Sequence, residues 1–152
     1  MSPEQRPRVV LDPVVYVLAL PPYFLESAVT DVLSGVSHEA LELVTSPQIL
    51  AEIQGILLNA IGASLEESTA VICRLARLAT LYVSPEESIA LIDTPAVANR
   101  LLEAAQEAAA DYIITLEPSL LKLDKWHGIK MVKPKDFEFW REEPWTVAEE
   151  EC

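Results

Sequence analysis

At 152 residues the chain has the length of one domain, and a 51% apolar content excludes disorder over most of it. Eleven basic residues against 24 acidic ones give a formal charge of −13, a surface that repels nucleic acid and anionic membrane over most of its area. The two cysteines, Cys73 and Cys152, form no disulfide framework, so the expected setting is a reducing cytoplasm. The longest apolar stretch, 14–22, is far shorter than the roughly 20 residues of a spanning helix. Pro21 and Pro22 close it without a small-x-small cleavage site, which argues against an export signal.

In chain order, residues 8–12 are a β-branched run closed by Asp12 and Pro13, which predicts a buried strand. Leu25, Ala28, Val29, Val32 and Leu33 fall at helical spacing and predict a helix over 24–34. A second strand over 41–45 ends at Ser46-Pro47, an N-cap followed by a natural first helical residue, so a helix should cover 47–60. Ser64 and Glu67 form a capping box for a helix over 65–78. A short strand over 81–83 follows, and Thr94-Pro95 opens an Ala- and Leu-rich helix to about residue 110. Two more strands are predicted over 111–115 and 128–132. Segment 134–152 holds Phe137, Phe139, Trp140 and Trp145 among many acids. Strands alternating with amphipathic helices imply an α/β fold with helices on both faces of a parallel sheet.

Ligands of such sheets gather beyond the carboxyl ends of the strands. Asp12 follows the first strand, Glu52 lies one turn into the helix after the second, and Glu117 sits just past the fourth. Asn99 lies near the start of the helix before that fourth strand. Three carboxylates and an amide on one rim suit Mg²⁺ or Mn²⁺, which activate water and neutralise a phosphodiester's developing charge. In a chain this acidic, the same residues also read as a turn cap and a solvated face.

The order of several segments resembles the PIN domain, the metal-dependent ribonuclease fold of many toxin–antitoxin toxins. The matching pieces are Val9-Val10-Leu11-Asp12, then Glu42-Leu43-Val44-Thr45-Ser46-Pro47 with Ile49-Leu50-Ala51-Glu52. Asn99-Arg100-Leu101-Leu102-Glu103 and Ala110-Asp111-Tyr112-Ile113-Ile114-Thr115 follow, then Ser119-Leu120-Leu121 and Gly128-Ile129-Lys130-Met131-Val132. The resemblance implies a PIN-like domain over 8–140, an acidic segment over 141–152, and a three-layer sandwich. Its sheet would hold five parallel strands in order 3-2-1-4-5, with right-handed crossovers removing most other orders. It also implies Mg/Mn-dependent RNA cleavage with Asp12, Glu52 and Glu117 as metal ligands and Asn99 as a fourth catalytic position. A homodimer and an antitoxin-like protein partner are implied too.

The family's motifs are altered here. Its acid-Thr-Asn run reads Asp12-Pro13-Val14, its third acid is Asn99, and its Thr-Gly-Asp is Thr115-Leu116-Glu117. An amide offers one neutral oxygen and neither charge nor base. Asp93, six residues before Asn99, reads either as a compensating acid from the preceding loop or as a solvated cap of that loop. The expectation is therefore an attenuated ribonuclease, with a catalytically inactive oligomerisation or partner- and RNA-binding module as the alternative. The RNA contact would run through Lys122, Lys125, Lys130, Lys133 and Lys135 beside Trp126, lysines that equally protect a sheet edge. His38 and His127 lack ligand spacing, and Cys73 falls on an apolar helix face as a small core residue.

Overall fold

The computed structural model describes residues 6–20, 27–93 and 95–137. Its elements run β1 (Arg8–Leu11), α1 (Pro13–Leu18), α2 (Ser27–Ser37), β2 (Glu42–Thr45), α3 (Pro47–Gly55), α4 (Leu65–Leu78) and β3 (Leu81–Tyr82). Then come α5 (Val97–Ala108), β4 (Tyr112–Ile114), α6 (Pro118–Leu123), β5 (Lys125–Trp126) and β6 (Ile129–Val132). A single 3₁₀ turn, Pro134–Asp136, closes the described chain before Phe137.

The strands form one sheet in the order β3-β2-β1-β4-β6-β5. The β1–β2, β1–β4, β2–β3 and β4–β6 ladders are parallel, while β5 pairs antiparallel to β6. The sheet is therefore mixed and six-stranded, which corrects the expectation of five parallel strands. The five expected strands keep the order read from the sequence. The sixth is a two-residue strand, too short to show any period, and it exists because His127 (φ 52°) and Gly128 (φ 82°) turn the chain back on itself. Positive φ at both centre positions is what a two-residue hairpin turn requires.

β1 lies at the centre, and Val9 and Val10 are fully buried, as a strand covered on both faces demands. Helix α5 packs across β1, β2 and β4. Its buried face alternates Leu101 and Leu102 with Ala98, Ala104 and Ala105, small residues that let the helix lie close to the sheet.

Other departures have local causes. Neither α1 nor α6 was readable as a helix, because each spans only six residues. Both open on an acid followed by proline, Asp12-Pro13 and Glu117-Pro118, and each acid caps its helix. The α-helix after β2 stops at Gly55 and widens into a π turn over Ile56–Ile61, closed by Gly62 at φ 82°. α5 starts at Val97, behind tighter bonds from Ala98 N–H to the Pro95 carbonyl and from Asn99 N–H to that of Ala96. Cys73 is exposed, not core: it points outward on α4 while Leu75 turns into the interior. The first residues of the helix expected over 24–34 and the aromatic, acidic segment 138–152 lie outside the described residues.

Candidate functional site

Asp12 stands directly after β1 and is only 4% exposed. Its N–H donates to the Ile114 carbonyl at 3.0 Å, tying it to the end of β4. One carboxylate oxygen, Oδ1, accepts the Val14 N–H at 3.0 Å and caps α1. The other, Oδ2, accepts the Thr115 hydroxyl at 2.7 Å. Thr115 Oγ1 in turn accepts the Glu117 N–H at 2.9 Å, so one buried hydroxyl joins the two acids' segments. Glu117 Oε2 accepts the Ser119 N–H at 3.2 Å and the Ser119 hydroxyl at 3.0 Å. The capping geometry that starts α6 thus also fixes where the Glu117 carboxylate lies.

Burial pushes the Asp12 carboxyl above its ordinary range, the Thr115 and Val14 bonds pull it back down, and the negative charge of Glu117 raises it again. The charge of Glu117 is thus felt at the Asp12 carboxyl. Glu52 is exposed on α3 and borders the same cleft. That cleft encloses about 330 Å³, and Asp12, Glu52 and Glu117 share its lining with apolar side chains such as Val14, Ile56 and Leu116. A larger cavity of about 520 Å³ lies between α1, the π turn and α4, where Glu67 is the only carboxylate among the described lining residues. Glu67 is already engaged there in the capping box with Ser64.

The three acids meet at one cleft, yet among the described residues no three Asp, Glu, His or Cys side chains are grouped closely enough to form a ready metal cage. Asn99 is placed differently from Asp12, Glu52 and Glu117. It is buried, its Oδ1 accepts the Ile92 N–H at 2.8 Å, and its Nδ2 donates to the Ile92 carbonyl at 2.6 Å. Asn99 therefore serves as a two-pronged clamp on the loop before α5 and is not among the residues lining the cleft. Asp93 is exposed on that loop and does not line the cleft either.

The rest of that helix face extends the clamp. Glu103, 7% exposed, accepts the Ile89 N–H at 2.8 Å and pairs with Arg100 at 2.7 Å, while Arg100 also donates to the Ile89 carbonyl at 3.2 Å. Gln106 donates to Glu87, and Glu107 accepts the Glu86 N–H at 3.3 Å. Sequence reasoning quoted Thr115 and Glu103 within matching segments but gave neither a role. Thr115 had a signal, a hydroxyl at a strand end two residues before an acid. Glu103 had only its spacing of three from Arg100.

The lysines occupy the opposite sheet edge. Lys122, Lys125, Lys130, Lys133 and Lys135 are all exposed, and none forms an ion pair with a described residue. Trp126 lies against His127, ring centroids 4.1 Å apart. His38 is half-buried, its Nδ1 2.8 Å from the Ser34 carbonyl. No described helix is long and apolar enough to cross a membrane. No protein-family model matches the chain, and neither does any curated protein.

Proposed function

We propose that the chain is an α/β protein with an acidic cleft that takes a divalent cation, and more narrowly a PIN-like protein of toxin-type ribonuclease descent with attenuated RNA cleavage. The observation that carries this reading is the convergence on one cleft of Asp12 and Glu117, just past the carboxyl ends of the neighbouring parallel strands β1 and β4, with Glu52 of helix α3, which follows β2. Helices flanking the sheet fit the three-layer arrangement of that family. The donors suit a hard cation: all are carboxylates, and the repulsion between Asp12 and Glu117 is a charge conflict that Mg²⁺ or Mn²⁺ relieves. When bound there, such an ion supplies Lewis-acid activation of water for phosphodiester hydrolysis.

The chain's own residues do the rest. Thr115 holds Asp12, Ser119 holds Glu117, and Glu52 lines the same cleft. The exposed lysines give an RNA backbone its cationic track, with Trp126 as a stacking surface. A homodimer, or a complex with an antitoxin-like protein, is the assembly this reading carries. The test is incubation of labelled RNA with Mn²⁺ and either wild type or Glu117→Gln. Slow cleavage by the wild type and none by the variant supports the enzyme.

A second reading has its own observation. Asn99, which stands where the family carries an acid, is committed to Ile92, and no three acids are grouped as a cage. That favours a non-catalytic module that keeps the fold for oligomerisation or for binding RNA or a partner. Equal RNA stability with wild type and Glu117→Gln at millimolar Mn²⁺ selects it.

A further inference from the structure

All five lysines of the chain fall between residues 122 and 135, in a molecule whose formal charge is −13. Within the β5–β6 hairpin, Lys125 and Lys130 are direct cross-strand partners. Like charges placed opposite each other disfavour the pairing. Edge protection explains Lys125 on the edge strand β5 but not Lys130, which stands on the inner strand β6. An anion lying over the hairpin does account for them.

We propose that this hairpin is the docking surface of the chain's own acidic segment, residues 138–152, which covers it in cis and competes with external polyanions. The described chain leads to the spot. Phe137 is 3% exposed and packs edge-on against Tyr112, ring centroids 5.1 Å apart. Tyr112 is the register neighbour of Lys130 on β4, and Lys130 is that of Lys125 on β5. Register neighbours project to the same sheet face, and strands lie about 4.8 Å apart, so the described chain ends, at Phe137 against Tyr112, on the strand next to Lys130 and two strands from Lys125.

The charges are complementary. Segment 138–152 holds Glu138, Glu142, Glu143, Glu149, Glu150 and Glu151 against Arg141, whereas 122–135 holds five lysines against Asp124. Its tether makes docking intramolecular, at an effective concentration on the order of millimolar. This inference uses the hairpin and not the cleft, so it stands whether or not the cleft binds metal.

The test uses the full chain in EDTA, with a fluorescent 20-nucleotide polyuridylate as competitor. Changing the six glutamates to glutamine should tighten oligonucleotide binding about tenfold and steepen its salt dependence, because freed lysines then meet phosphate. Adding Lys125→Gln and Lys130→Gln should erase that gain. Zero-length carbodiimide treatment of the wild type should join Glu142–Glu151 to Lys125 or Lys130 within one chain, at a yield unchanged by tenfold dilution. Unchanged affinity in the glutamine variant would overturn the proposal in favour of a surface left open to external polyanions. A gain that survives loss of the two lysines would reduce it to bulk charge. Cross-links that vanish on dilution would assign the surface to a second copy.

Discussion

Asp12 does two jobs that pull against each other: it caps α1, and it carries a buried negative charge beside Glu117. Its folded-state pKa lies above the unfolded value of 3.8, burial being the main cause. Below that value both states are protonated and the shift has no effect on stability. As the pH rises through the folded pKa, the native state must ionise a buried carboxyl, so stability falls and stays lower. Asp12→Asn should therefore melt higher than the wild type near neutral pH, by roughly 2–4 °C, the size of a gain of about 1 kcal/mol in a domain this long. The gap should close toward pH 3, which thermal melts across pH will check. Asn99→Asp behaves in the opposite way to a simple restored ligand. A carboxylate there would face the Ile92 carbonyl in place of a donor, destabilising the fold by about 1–3 kcal/mol at neutral pH, with recovery at acid pH where the carboxyl is protonated. Chemical denaturation at the two pH values reads this directly. Asp12 was legible in the sequence because an acid and a proline ended a β-branched run. The role of Asn99 was not, since its partner lies seven positions back in an irregular loop that carries no period.

The same contrast holds for elements. Strands β1 and β2 and helices α3 and α4 announced themselves through their caps, Ser46 before Pro47 and the Ser64–Glu67 box. The edge hairpin did not, because its signal is a two-residue turn and His127-Gly128 is not a standard turn pair. His127 holds φ 52°, a left-handed conformation that costs a non-glycine residue roughly 1–2 kcal/mol, less for Asn or Asp. His127→Asn should stabilise the protein by about 0.5–1 kcal/mol, since Asn-Gly is the favoured sequence for this turn. Gly128→Ala should destabilise it by about 1 kcal/mol, a backbone effect alone, because an added Cβ would meet nothing within 4 Å. Urea midpoints of the two variants should move in opposite directions. The π turn Ile56–Ile61 was invisible in the sequence, since its apolar positions satisfy an ordinary helical period equally well.

Across the whole molecule, strand order followed from alternation and crossover handedness, whereas the sixth strand and the distribution of charge between the two ends of the sheet needed the fold. The acids of the cleft gather past β1, β2 and β4, and the lysines gather on β5, β6 and their flanks. Among the described residues, bonds from side chains hold Asp12 and Glu117 but not Glu52, so cation affinity should be weak, in the millimolar range typical of undemanding oxygen sites. The most direct measurement is the melting temperature of wild type and Asp12→Asn with and without 10 mM Mn²⁺. For a dissociation constant near 1 mM, linkage gives about 1.4 kcal/mol of stabilisation, or roughly 3–5 °C. The expected result is that rise in the wild type and its loss in Asp12→Asn. Equal shifts in both proteins, or none in either, would contradict a cation site built on Asp12.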